Sequence, residues 1–86
     1  LISEAPSPSE MVERLEEAEQ VRRALLRLPE TLRSVVILRH YEGLKFAEIA
    51  DVLGIPEGTV KSRMFDALER LAVLLRASHN HGTPLP

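Results

Sequence analysis

Cysteine is absent from this chain of 86 residues, which excludes disulfide frameworks, thiolate metal sites, thiol nucleophiles and a cysteine redox switch. No apolar run approaches the length of a membrane span, and no signal-peptide pattern opens the sequence. The four glycines stand apart from one another, so no loop cradles a phosphate. Nucleophile–base pairings and carboxylate pairs of catalytic type are missing too, and an enzyme is not expected. A large excess of charge of one sign is also lacking, since the net charge is −2, and on its face that argues against a nucleic-acid partner. What is present is 44% apolar and 28% charged residues, the balance of one small folded, soluble domain.

The small net charge conceals two halves. Residues 1–20 carry six glutamates against Arg14 alone, a net −5, whereas residues 21–86 carry ten Lys/Arg against seven Asp/Glu, a net +3. An acidic leader precedes a mildly basic body. The chain opens on Leu1 rather than Met, which leaves open whether another domain precedes it.

Proline and glycine punctuate four apolar-periodic segments, and none alternates with the period of an exposed strand. The expectation is an all-α domain over residues 8–76, with residues 1–7 as a linker and 77–86 as a flexible polar tail. The first helix is expected from Pro8 to Arg27, opened by Ser7 as N-cap with Glu10 three residues on. Val12, Leu15, Ala18, Val21, Leu25 and Leu28 give it one apolar stripe. The second is expected from Pro29 to Tyr41, apolar around most of its circumference and hence central, with Gly43 following. The third spans Phe46 to Leu53, facing inward through Phe46, Ile49, Ala50 and Leu53, and the fourth spans Pro56 to Arg76.

Helices three and four, joined by Gly54-Ile55-Pro56, form a helix-turn-helix pattern. Ala50 is small where crossing helices approach, Gly54 supplies a positive φ, and Val60 locks the second helix onto the first. Ile49, Ala50, Leu53, Gly54, Val60 and Met64 are the expected framework of the motif.

From Leu28 to Arg63 the sequence reads LPETLRSVVILRHYEGLKFAEIADVLGIPEGTVKSR. The strings Leu28-Pro29-Glu30, Glu48-Ile49-Ala50, Leu53-Gly54-Ile55-Pro56 and Gly58-Thr59-Val60-Lys61-Ser62-Arg63 resemble region 4 of the extracytoplasmic-function (ECF) sigma factors of the sigma-70 family. The resemblance implies a small four-helix domain of the winged-helix-like superfamily without a wing, whose last helix reads the promoter −35 element. It also implies docking on the β-subunit flap of core RNA polymerase, an anti-sigma factor as a further partner, and a bacterial, cytoplasmic, nucleoid-associated location.

At about 100° per residue, Val60, Met64, Ala67, Leu68, Leu71, Leu74 and Leu75 cluster on one side of helix four, the expected core face. The other side presents Thr59, Lys61, Ser62, Arg63, Phe65, Asp66, Glu69 and Arg70. Lys61, Arg63 and Arg70 suit phosphates or guanine, and Ser62 suits either hydrogen-bonding sense. Phe65 has two readings, contact with a thymine methyl or packing back onto the domain surface.

Two positions depart from the ECF pattern. Asp66 stands where relatives usually carry a basic residue; it suits a cytosine amino group but repels phosphate, so weaker or differently specified DNA binding is expected. Lys45 occupies the N-cap of helix three in place of Ser or Thr, forgoing a side-chain acceptor at a cost of about 1 kcal/mol while offering a cation to a phosphate. Glu48 is placed to bond the free backbone N–H.

Arg33 and Arg39 read as solvated helix charges or as contacts to DNA backbone or polymerase, and His40 beside Tyr41 as a helix-end residue. His79 and His81 lack a third ligand, so neither a metal nor any other cofactor is expected. Val73, Leu74 and Leu75 are candidate protein contacts as well as core. Two alternatives accompany the sigma-factor reading: a LuxR-type DNA-binding output domain, and a sigma-like module that mainly binds a regulator. No membrane or small-molecule partner is expected.

Overall fold

A computed structural model describes the backbone of residues 5–81 and the side chains of residues 5–77. Within that span the fold is all-α: α1 (Pro8–Leu26), α2 (Glu30–Val36) continued by a π-helical turn (Ile37–Tyr41), α3 (Phe46–Leu53) and α4 (Glu57–His81). There is no strand among the described residues.

The helix ends follow from local chemistry. Ser7 Oγ accepts from the Glu10 N–H at 3.2 Å, and Glu10 Oε1 accepts from the Ser7 N–H at 2.9 Å, a complete capping box. Lys45 has no acceptor to offer, and only the returning half of the box forms at α3, with the Lys45 N–H donating to Glu48 Oε1 at 2.7 Å. Gly54 ends α3 at φ +69°, its N–H donating to the Ala50 carbonyl at 2.8 Å. Gly43 (φ +72°) follows the π turn, in which the Glu42 N–H reaches back five residues to the Ile37 carbonyl at 3.1 Å.

Two apolar clusters hold these helices together. Ala24, Leu25 and Leu28 meet Leu32, Val36, Ala67 and Leu71, joining α1, α2 and α4. Val35, Ile49, Ala50 and Val60 form the second, which fastens α3 and α4 to α2. Met64 packs against both, so the two clusters share a wall. The apolar breadth of the second helix is thereby explained: Leu32 and Val36 serve one cluster and Val35 the other.

Three expectations change. The stripe on α1 is buried only from Val21 onward; Val12 and Leu15 are 53% and 64% exposed, and Ala18 is exposed. The reason is reach, because α2 and α4 cover only the last third of this helix. Leu68 is 51% exposed, lying at the edge of the α4 stripe where no helix covers it. Finally, α4 runs past Arg76 to His81, so Ala77–His81, expected in the flexible tail, are helical. Residues 82–86 and the side chains of His79 and His81 lie outside the described residues.

Candidate nucleic-acid interface

The Gly54 turn sets where α4 begins and which way it points. After it, the N–H groups of Thr59 and Val60 donate to the Pro56 carbonyl at 3.0 and 3.2 Å, starting α4 at Glu57. Proline suits this place because it has no N–H to leave unpaired there. Ile49 and Val60 are both 0% exposed, and Ala50 is 8% exposed, so α3 and α4 cross in close contact. Leu53 and Met64 are half-buried around that crossing. Gly54 is exposed and contributes its backbone conformation rather than packing.

With Val60 and Ala67 fully buried, the opposite side of α4 is turned outward. Lys61, Ser62 and Phe65 are exposed, while Thr59, Arg63 and Asp66 are half-exposed. Phe65 is 65% exposed, which removes the packing-back alternative. Its ring is a large apolar surface among Lys61, Ser62 and Asp66, with the exposed Leu68 one turn further on.

Most of the polar groups here engage one another. Ser62 Oγ donates to the Thr59 carbonyl at 3.1 Å, leaving its lone pairs to accept. Lys61 Nζ lies 3.5 Å from Glu57 Oε2, and Arg70 Nε donates to Asp66 Oδ1 at 3.2 Å. Both are exposed i, i+4 pairs of a few tenths of a kcal/mol. Arg63 forms no ion pair among the described residues. Lys45, exposed at the start of α3, likewise forms none among the described residues.

The arginines of the second helix have structural tasks that sequence reading missed. Arg33 Nη1 donates to the carbonyls of Leu26 and Leu28, each at 3.2 Å, satisfying acceptors left over where α1 ends. Arg39 Nη1 donates to the Leu44 carbonyl at 3.0 Å, and its guanidinium sits 4.6 Å from the centre of the Phe46 ring. Neither is a merely solvated charge. A helix-end carbonyl seven residues before an arginine, or a loop carbonyl five residues after one, leaves no periodic trace, so these contacts had no signal to read.

A second surface lies beside the first. A cleft of about 680 Å³ runs between the α1–α2 junction and α4, with Leu28, Pro29, Val73 and Leu74 as its apolar wall. Asp66, Glu69, Arg27, Arg70 and Arg76 form its charged rim. Val73 is 56% exposed, whereas Leu75 is half-buried against the first cluster and faces the core. No group of three or more potential metal ligands occurs among the described residues, and no described helix is long and apolar enough to cross a membrane.

Residues 18–71 match the family described as "Sigma-70, region 4". The chain is 33% identical over 76 residues to the ECF RNA polymerase sigma factor SigW of Bacillus subtilis, covering 88% of this chain and 41% of that protein. It is 39% identical over 70 residues to the RNA polymerase sigma-H factor of Pseudomonas aeruginosa, 81% of this chain and 36% of the relative. It is 48% identical over 61 residues to the ECF RNA polymerase sigma factor SigM of Mycobacterium tuberculosis, 71% and 31% of the two. The chain thus spans between 31% and 41% of the length of these curated relatives.

Proposed function

The chain belongs to the sigma-70 region 4 family, and on that premise we propose that it is the promoter-binding domain of an ECF sigma factor, working in transcription initiation in the bacterial cytoplasm at the nucleoid. In this reading α4 enters the major groove at the −35 element and the domain docks on core RNA polymerase.

The observation that carries the DNA half is the outward row on α4. Lys61, Ser62, Arg63 and Phe65 stand on a helix whose opposite side is closed by Val60 and Ala67, so the row is rigidly presented. Arg63 and Lys61 suit phosphates or guanine, Ser62 offers acceptor lone pairs, and the Phe65 ring suits a thymine methyl. Thr59 and Lys45 complete the contacts toward the backbone, with Asp66 and Arg70 further along the helix.

Affinity by this domain alone is expected to be modest. From Glu57 to Arg76, α4 carries four cations against three carboxylates, and two of the cations are already paired. Docking supplies the remainder: the cleft at Val73 and Leu74 is the proposed seat for the polymerase flap and for an anti-sigma factor competing with it.

Fluorescence anisotropy of the intact protein on promoter duplexes, repeated at several salt concentrations, tests the DNA half. Sequence preference with affinity falling as salt rises is expected; no preference even at low salt refutes it and leaves the regulator-binding module in place. For the docking half, Val73→Asp is expected to abolish capture by core polymerase while leaving the DNA titration unchanged. Undiminished capture removes the cleft from the interface.

A further inference from the structure

Resting on the promoter-binding reading of α4, we propose that Asp66 selects a base: its carboxylate accepts a hydrogen bond from the exocyclic amino group of one cytosine in the major groove, while Arg70, held by Asp66, grips a neighbouring backbone phosphate. Thr59, Ser62, Asp66 and Arg70 follow one another at spacings of three, four and four residues, which is a single line along a helix. Ser62 stands on that line as an acceptor, because its hydroxyl proton is taken by the Thr59 carbonyl. Asp66 continues it as a second acceptor, half-exposed one turn further on.

Two adjacent acceptors discriminate among base edges by simple chemistry. Guanine shows N7 and O6 and thymine shows O4, all acceptors that repel a carboxylate. Adenine's N6 amino group lies between two acceptors, its own N7 and the O4 of the paired thymine, whereas cytosine's N4 amino group has an acceptor, the O6 of the paired guanine, on one side only. A line of acceptors therefore favours cytosine over all three alternatives.

The ion pair assigns the arginine its part. Asp66 receives Arg70 through Nε and through Oδ1, which leaves Oδ2 and both terminal nitrogens of Arg70 without a hydrogen-bond partner among the described residues. A guanidinium held at Nε presents its two terminal nitrogens end-on, the fork that matches two phosphate oxygens. Arg70 also offsets the repulsion between Asp66 and nearby phosphates. The pair thus divides the work, with sequence read by the carboxylate and position held by the cation.

Selection of binding sites from a pool of randomised duplexes, by the intact protein and by Asp66→Ala, Asp66→Asn and Arg70→Ala variants, tests the assignment. Anisotropy then compares each enriched duplex with versions altered at single positions, and circular dichroism confirms that each variant keeps its helicity. The unaltered protein is expected to enrich one cytosine and to lose affinity about tenfold when that base is replaced. Asp66→Ala is expected to reduce that penalty to about twofold or less, and Asp66→Asn to move the preference at the same position toward adenine. Arg70→Ala is expected to weaken every duplex alike and to lower the salt slope by about 0.9. An Asp66→Ala variant that binds every duplex more tightly, with the cytosine preference intact, overturns the inference and leaves Asp66 as a repulsive charge only. Failure of the unaltered protein to enrich any sequence overturns the promoter reading itself, and this inference with it.

Discussion

Replacing Ile49 with alanine strikes the contact on which the placement of α4 depends. Ile49 is 0% exposed and packs with Val35, Ala50 and Val60. The substitution removes three carbons, worth about 2.4 kcal/mol at roughly 0.8 kcal/mol per buried carbon. A cavity adds to that cost, because Val35 and Val60 are β-branched and too stiff to swing into the space. A loss of about 3–4 kcal/mol follows, against a total stability of about 4–13 kcal/mol for a chain of 86 residues. The folding constant falls by at least about 100-fold, and the melting temperature by roughly 15–25 °C. Urea unfolding followed by circular dichroism is the suitable assay, as the chain has no tryptophan to serve as a fluorescent probe. The midpoint should drop with an unchanged slope and a single transition, because Met64 couples the two clusters. Val52→Ala, at a side chain 62% exposed on the same helix, is the control and should stay within about 0.5 kcal/mol. A cost below about 1 kcal/mol for Ile49→Ala, or an equal cost for Val52→Ala, refutes the packing described for the helix-turn-helix.

Other outcomes follow from single features. Gly54→Ala should destabilise by about 1 kcal/mol in the same urea assay, and Gly54→Asn by less, because an added Cβ meets nothing within 4 Å and only the φ of +69° is penalised. Alanine at Arg63 and at Lys61 should each weaken promoter binding without unfolding the domain, lowering the salt slope by about 0.9 for each phosphate no longer neutralised; unchanged affinity in both variants removes α4 from the groove. Hydrogen bonds from Arg22 and Arg23 lower the Glu19 carboxyl from 4.5 to about 2, so carbon-detected NMR should find it still ionised well below pH 4.5. Because the folded-state value is the lower one, whatever stability this cluster contributes is present above about pH 4.5 and is lost as pH falls toward 2. Its partial exposure to solvent and salt screening keep that contribution small.

Much of the local structure is legible in the chain because short-range chemistry decides it. Ser7 and Glu10 cap α1, Pro56 opens α4, and Gly54 takes the one conformation that turns α3 into α4; each is settled within four residues. The apolar spacing of Ile49, Ala50 and Val60 likewise determines which sides of α3 and α4 meet. Only the tertiary structure decides how much of each stripe is used. Val12 and Leu15 continue the same periodicity as Leu25 and Leu28, yet stay exposed because no helix lies alongside that part of α1. Burial is a property of two surfaces, and periodicity describes one. The same distinction governs the charges: Arg33 spans a turn to the carbonyls of Leu26 and Leu28, while Arg39 reaches the Leu44 carbonyl across the bend at Gly43. A sequence determines which groups are available to interact, whereas the distances that let Arg33 and Arg39 clamp carbonyls beyond their own helix turn exist only once the chain has folded around them.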